Sequence, residues 1–201
     1  ESPDDFFIWS GTIITDLTVK GADAEEIIIP SKATELGASA LSHSGASKIV
    51  IGPNVTIIGE KAFYYCSVIT EITIPPSVKQ IKREAFKYCD ALSSITFSEG
   101  LEEIGEEAFC FINTEWTADT LMTITLPNTL TTLQKNAFQS EGIEAVYLPE
   151  SVTAVAEKAI NIKRYESIIY VKKDSWADKH FEEFITFDED NGLPISFKVY
   201  Y

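Results

Sequence analysis

The apolar positions of this chain recur in one pattern about every 23 residues. Each copy is anchored by an alanine that precedes a large apolar residue, and the anchors are Ala40, Ala62, Ala85, Ala108, Ala137 and Ala159. Successive anchors are 22, 23, 23, 29 and 22 residues apart. The one long step contains an insertion at residues 110–120. A fixed period in this range predicts a solenoid, in which each unit buries its apolar face against the next.

Each unit contains one short segment in which apolar and polar residues alternate, as they do in a strand with one buried face. Seven such segments are centred on Ile28, Val50, Thr73, Thr96, Thr125, Tyr147 and Tyr170. In the unit from Pro75 to Phe97, "PPSV" predicts a turn, "REAFKYC" a compact turn or a single helical turn, and "SITF" the strand. The pattern therefore predicts seven parallel strands, stacked about 5 Å apart in one long sheet.

The repeated stretch "ITEITIPPSVKQIKREAFKYCDALSSITF" resembles the BspA-type, or treponemal-type, leucine-rich repeat of bacterial surface proteins. The similarity covers residues 27–171, and the outermost units depart from it, with Leu41 and Ile160 where phenylalanine is expected. The resemblance implies an α/β-type repeat solenoid: a right-handed leucine-rich-repeat array with a long parallel sheet on one side and short turns or single helical turns on the other. It also implies export to the cell surface and a role in adhesion or host-protein binding, with no catalytic residue.

The ends of the chain are predicted to cap this array, because an open solenoid would expose its core and strand edges. We expect a capping hairpin at residues 1–26, about six repeat units at 27–171, and a C-terminal cap at 172–201 with a short helix and strands. The helix begins at Asp174 or Ser175 as N-cap, and its apolar face comprises Trp176, Ala177, His180, Phe181 and Phe184. The strand partner of "PISFKVYY" stays open, and a mobile tail is the alternative.

The acidic composition limits the classes of partner. The formal net charge is −15, with 31 acidic and 16 basic residues. Such a surface repels nucleic acid and anionic lipid, so neither is an expected partner. No run of 18 apolar residues is present, so membrane insertion is not expected. We expect a monomer that is extracellular or at the cell surface, although residues 1–11 show no secretory leader.

The sequence contains no clear catalytic or metal-binding motif. The two histidines, His43 and His180, are isolated, and no GxSxG-type signature accompanies them. Cys66 and Cys89 hold equivalent repeat positions and are predicted to lie inside, whereas Cys110 is out of register and could be a reactive thiol. The acidic runs "SEGLEEIGEEAF" and "DEDNG" are interpreted as a solvated face and an acidic turn, with calcium binding as the weaker alternative. We predict no enzyme, no cofactor and no metal.

The outward residues of the strands offer a binding surface. Thr73, Thr96 and Thr125 form a row that continues into Tyr147 and Tyr170. Because threonine and tyrosine also favour strands for packing reasons alone, the row by itself does not prove function. The insertion places Trp116 in a polar loop, and insertions in solenoids often mark the binding side. The leading hypothesis is a non-catalytic surface module that binds a host or extracellular protein. The alternative is a carbohydrate-binding surface protein that captures glycans.

Overall fold

The fold was analysed in a computed structural model that describes residues 3–111, 121–162, 167–187 and 194–201. The chain winds into a parallel β-solenoid, with one turn for each alanine anchor. All six anchors are fully buried. The repeat predicted from the sequence is therefore confirmed, and its period is the length of chain needed to pass once around the core.

The seven predicted strand segments all form strands, and they lie side by side on what we call the front face. They are β3 (Glu26–Ile28), β5 (Lys48–Val50), β7 (Glu71–Ile74), β9 (Ser94–Phe97), β12 (Met122–Thr125), β15 (Ile143–Leu148) and β18 (Ser167–Val171). An eighth strand, β19 (Ser196–Tyr200), pairs in parallel with β18. The C-terminal segment "PISFKVYY" thus finds its partner in the last repeat.

The prediction of one continuous front sheet is wrong. The front strands form three separate sheets: β3–β5, β7–β9, and β12–β15–β18–β19. The second break follows the insertion at residues 110–120, which separates β12 from β9 along the chain. At the first break, equivalent residues of β5 and β7 are one residue further apart in sequence than those of β3 and β5. Because β7 and β9 pair across the same 23-residue step, only the second break coincides with a step longer than those of the paired strands.

The back of the solenoid is a separate sheet that the sequence did not predict. It contains eight short strands in the order β1 (Phe7–Ser10), β2 (Ile13–Leu17), β4 (Glu35–Leu36), β6 (Ile57–Ile58), β8 (Gln80–Ile81), β10 (Glu103–Ile104), β13 (Thr132–Leu133) and β16 (Ala154–Val155). All its pairs are parallel except the β1–β2 hairpin. A further sheet joins β11 (Phe109–Cys110), β14 (Phe138–Ser140) and β17 (Ile160–Ile162).

The turn that carries each alanine anchor is compact and not helical. In the third unit both Glu84 and Tyr88 have positive φ, at 55° and 64°, and in the second unit Lys61 and Tyr65 have φ of 58° and 60°. Left-handed residues four apart cannot belong to a right-handed helix. Of the two alternatives that the sequence left open, the compact turn is therefore the one observed.

The core is organised around a column of phenylalanine rings. Phe63, Phe86, Phe109 and Phe138 follow successive anchors and are fully buried. Their centroids are 4.6, 5.0 and 5.2 Å apart along the column, with planes within 7° of parallel. The predicted inward position of the cysteines is confirmed as well, because the Cys66 and Cys89 thiols donate to buried carbonyls of Leu41 and Phe63 at 3.1 Å. Burial raises the pKa of the Cys89 thiol well above its ordinary value.

At the N-terminal end, the predicted hairpin is present as the antiparallel pair β1–β2. It is preceded by a 3-10 helix (Pro3–Phe6) and followed by a short helix, α1 (Val19–Ala22). Phe7 of β1 is buried in the common core, and Trp9 packs against it. Strand β1 is the outermost strand of the back sheet. The boundary between cap and array at residue 26 stays a prediction.

At the C-terminal end, one predicted helix is in fact two. Helix α2 (Trp176–Lys179) begins after Ser175, whose hydroxyl accepts the Asp178 N–H at 3.1 Å. Helix α3 (Phe181–Phe184) follows after His180, where φ is −114° and ψ is 18°. That backbone conformation ends the first helix. The predicted apolar face persists across the break, with Ala177, Phe181 and Phe184 buried.

Strand β19 is held to helix α2 by a polar network centred on Asp178. The Asp178 carboxylate oxygen Oδ1 accepts hydrogen bonds from Lys198 Nζ at 2.9 Å and from the Tyr200 hydroxyl at 3.0 Å. Oδ2 accepts from the Asp174 N–H at 2.9 Å. These donors, Lys198 first, lower the pKa of Asp178 below its ordinary value, against an opposing effect of desolvation. The pKa of Lys198 is correspondingly raised, chiefly by the hydrogen bond to Asp178.

Truncating the ring column should destabilise the fold strongly. Phe86 lies between two parallel rings in a fully buried site, and Phe86→Ala should cost about 3–5 kcal/mol of unfolding free energy, as cavity-forming aromatic truncations do. The matched control is Phe197→Ala, because Phe197 is 55% exposed and its loss should change stability by about 0.5 kcal/mol or less. Urea unfolding followed by circular dichroism measures both. Equal effects would contradict the inward placement of Phe86.

The Asp178 network should give a defined pH dependence. Since the folded-state pKa of Asp178 lies below its ordinary value of 3.8, its contribution is complete above that value and is lost as the pH falls through the lower folded-state pKa. Asp178→Asn should therefore lower Tm at about pH 7, and the difference from the parent should shrink below about pH 3. Glu182→Gln, an exposed change on α3, is the control. A Tm difference that is constant with pH would contradict the assignment.

Candidate binding surface

The residues predicted to form an outward row are aligned by the strand register. Thr73 lies opposite Thr96, and Thr125 lies opposite Tyr147, which in turn lies opposite Tyr170. The three threonines are exposed and the two tyrosines are half-buried. Because the front face is interrupted between β9 and β12, the row consists of two separate parts. Thr73 and Thr96 form one part, and Thr125 and the tyrosines form the other.

The second part of the row contains a stacked pair of rings. Tyr147 and Tyr170 have centroids 4.1 Å apart and planes within 2° of parallel. Tyr201 meets both rings edge-on, at 5.5 and 6.5 Å, and its hydroxyl donates to the Leu148 carbonyl at 2.9 Å. The Lys172 ammonium lies 4.7 Å from the Tyr201 ring centroid. Three tyrosines from three parts of the sequence are thus fixed in one cluster.

Strand β19 enlarges this cluster with residues that sequence reasoning did not select. Its register with β18 places Phe197 opposite Ile168 and Val199 opposite Tyr170, so both side chains lie on the outward face. Phe197 is 55% exposed, Val199 37% and Tyr201 47%. Alternation in "SFKVY" is the sequence signal for this strand, but nothing in the sequence shows which strand it pairs with. We call Tyr147, Tyr170, Phe197, Val199 and Tyr201 the tyrosine patch.

Two hydroxyl groups of the patch, those of Tyr147 and Tyr201, have a pKa raised by their surroundings. Desolvation raises the pKa of Tyr147 above its ordinary value, and the neighbouring Tyr170 hydroxyl raises it further. Desolvation also raises the pKa of Tyr201, with additional effects of the Glu150 carboxylate and Tyr147. The patch therefore presents neutral rings with hydroxyl donors, a combination common at protein interfaces.

The threonine part of the row borders a shallow cleft at the first break in the front face. The cleft has a volume of ≈ 240 Å³ and is lined by Lys48, Ile49, Val50, Ile51, Glu71, Ile72, Thr73 and Pro75. Lys48 forms an ion pair with Glu26 at 2.6 Å. The pKa of Lys48 is raised, first by its hydrogen bond to Glu26 and then by the Glu26 charge. Thr73 is the one predicted site residue that lines this cleft.

Trp116 lies in residues 112–120, outside the described part of the chain. Its place in the binding surface therefore stays a prediction. The acidic turn predicted at Asp188–Gly192 likewise lies outside the described residues.

The two histidines and Cys110, the other candidate functional residues, have structural contacts. The His180 ring stacks on Trp176 at 4.2 Å, and His43 stacks on Tyr65 at 5.4 Å. Cys110, proposed above as a possible reactive thiol, is buried in β11. Within the described residues no three His, Cys, Asp or Glu side chains are placed to share a metal ion.

The glutamates of the acidic run lie near side chains of neighbouring units, in keeping with a structural surface. The pairs are Glu99 with Asn128, Glu102 with Lys79, Glu103 with Gln80, Glu106 with Arg83, and Glu107 with Lys87. Most of these pairs link one turn of the solenoid to the next. Among the described helices, none is long and apolar enough to cross a membrane.

The chain is similar to solved bacterial leucine-rich-repeat structures. The T. pallidum protein is 22% identical, with a TM-score of 0.66 over 98% of this chain and 86% of that one. A protein from Bacteroides ovatus is 20% identical, with a TM-score of 0.59 over 94% of this chain and 51% of the other. One from Eubacterium ventriosum is 21% identical, with a TM-score of 0.53 over 78% of this chain and 50% of the other. At these identities the similarity establishes the fold alone.

No curated protein sequence matches the chain. Its sequence does match the family described as "BspA type Leucine rich repeat region", in six copies over residues 12–115 and 114–184. The match spans the buried anchors, the phenylalanine column and all of the front strands except β19. The repeat and its stacking thus agree with the resemblance seen in the sequence, and the chain belongs to the BspA-type leucine-rich-repeat family.

Proposed function

We propose that this chain is a non-catalytic recognition module that binds a host or extracellular protein through its tyrosine patch. The leucine-rich-repeat family suggests a protein-interaction module, and BspA-type members are typically bacterial surface proteins. The observation that carries the proposal is the patch itself. The stacked pair Tyr147–Tyr170 and the half-exposed Tyr201, Val199 and Phe197 gather apolar surface on the outward side of one sheet.

The tyrosine patch presents a rigid surface. Tyrosine side chains present large contact areas with few rotatable bonds, and aromatic residues dominate the energetics of protein interfaces. Here the ring positions are set by a four-stranded sheet and by ring–ring contacts. A partner would therefore meet a surface that loses little conformational entropy on binding. The exposed threonines of the row, Thr73, Thr96 and Thr125, offer hydroxyls at the rim of such an interface.

Truncation of patch residues should weaken partner binding without unfolding the chain. The intact chain is first used to retrieve a partner from extracellular-matrix or mucus preparations, and Kd is then measured with the purified partner. Tyr147→Ala, Tyr170→Ala and Trp116→Ala should each weaken binding by about 1–2 kcal/mol or more, as hot-spot truncations do.

The matched control is Tyr65→Ala. Tyr65 is 44% exposed, lies in an anchor turn and not on the front face, and should leave Kd unchanged. Melting temperatures of all variants show whether the fold is kept. If the tyrosine and tryptophan variants bind as tightly as the parent, the ligand binds elsewhere and the proposal fails.

Glycan capture is the second candidate, favoured by the exposed ring and hydroxyls of the patch. Tyr147 and Tyr170 cover one another at 4.1 Å, which leaves fewer ring faces free for a sugar, and for this reason protein binding is the leading proposal. A glycan array, followed by quenching of tryptophan fluorescence, separates the two candidates. Saturable binding of a glycan that Tyr201→Ala removes, together with failure to retrieve any protein, would favour glycan capture.

A further inference from the structure

Strand β19 is the outermost front-face strand of the described residues, and among these residues one of its two edges has no strand partner. It pairs in parallel with β18 over its whole length, and no other strand of the described residues pairs with it. The Tyr201 N–H donates to the Val171 carbonyl. Because backbone polar groups point to alternate sides along a strand, the N–H and C=O groups of Lys198 and Tyr200 face the open edge.

The charge that would ordinarily protect such an edge is neutralised. Soluble proteins commonly place lysine on edge strands, which hinders the addition of another strand. Lys198 is the one charged residue of β19, and its ammonium lies 2.9 Å from Asp178 Oδ1. That contact holds the side chain against helix α2. The open edge therefore has hydrogen-bonding groups without an unpaired charge.

The two sides of β19 differ in chemistry. The outward side carries the apolar residues Phe197 and Val199 of the tyrosine patch. On the other side, a cleft of ≈ 370 Å³ is lined by Asp178, Lys179, His180, Phe181, Glu182, Glu183 and Lys198. Glu182 and Glu183 are exposed, and neither forms an ion pair with another described residue. With Asp178 paired to Lys198, the remaining charges of the cleft are Glu182, Glu183 and Lys179. One side of the edge thus favours apolar groups, and the other has a small excess of negative charge.

We propose that β19 accepts an extended segment of another protein as a further strand, and that this segment alternates basic with apolar residues. Strand addition uses main-chain hydrogen bonds for affinity and alternate side chains for specificity. Apolar side chains would pack beside Phe197 and Val199, and basic side chains would enter the cleft near Glu182 and Glu183. The inference rests on the proposed protein-binding role of the same patch, and it names the kind of segment that binds there.

A second copy of this chain is a poorer occupant of the edge. Each chain carries a net charge of −15, so two copies repel each other. A second β19 would also bring one lysine, Lys198, that already pairs with Asp178. Charge complementarity therefore points to a basic segment of a different protein.

The test uses two synthetic peptides of identical composition. One alternates lysine and valine over six residues, and the other has three lysines followed by three valines. The intact chain should bind the alternating peptide about tenfold more tightly, because only that order matches the two sides of β19. On binding, the amide protons of Lys198 and Tyr200 should become protected from hydrogen exchange, whereas that of Val199, which faces β18, should change little.

The matched variants are Tyr200→Pro and Tyr200→Phe. Both remove the hydroxyl bond to Asp178, but only proline removes the outward N–H, and edge strands tolerate proline where the N–H faces solvent. Tyr200→Pro should weaken peptide binding about tenfold relative to Tyr200→Phe, since main-chain hydrogen bonds are lost. The double change Glu182→Gln and Glu183→Gln should weaken binding and reduce its dependence on salt.

Several results would overturn the inference. Equal binding of the two peptides would show non-specific charge attraction, and unchanged exchange at Lys198 and Tyr200 would show that the edge is not used. The exchange result decides the matter even if Tyr200→Pro fails to fold. Dimerisation of the parent chain that Tyr200→Pro abolishes would assign the edge to a second copy. A partner that is lost with Tyr147→Ala but retained with Tyr200→Pro would keep the proposed function and reject strand addition.

Discussion

The face-to-face stacking of equivalent phenylalanines is the contact on which the rest of this structure depends. A single turn of about 23 residues is too small to enclose a core, and its apolar side chains become buried only when the next turn covers them. Four rings from Phe63 to Phe138 repeat at 4.6–5.2 Å, close to the spacing of neighbouring strands. The rings thus keep successive turns in register, and the strands on both sides follow that register.

The column of stacked rings also limits where the solenoid can be irregular. A turn can gain residues without disturbing the ring column, but the strand that follows is then displaced along its neighbour. The second break in the front face follows the insertion at residues 110–120, while β8, β10 and β13 of the back sheet remain paired across that insertion. Among the described residues the breaks lie in the front face, where the cleft beside β5 and β7 leaves the core intact.

The proposed binding features lie at the C-terminal end for a related reason. An inner turn has a neighbour on each side, whereas the last turn must end against something else. Here β19 and two short helices complete it, and the Asp178–Lys198 pair joins them. This closure buries Phe181 and Phe184 but leaves one strand edge and several rings exposed. The tyrosine patch and the open edge of β19 are both formed by the segment that follows the last repeat.

The sequence by itself determined the repeat, the seven front strands, the buried anchors and the alignment of Thr125 with Tyr147 and Tyr170. These features follow from local periodicity, which is written in neighbouring residues and needs no knowledge of distant contacts. The back sheet was missed because six of its eight strands are two residues long, too short for alternation to be recognised. The tertiary structure alone decided that the front face is broken, that Tyr201 and Val199 join the tyrosines, and that β19 pairs with β18. Those outcomes depend on contacts between segments far apart in the chain, for which a single sequence contains no pattern.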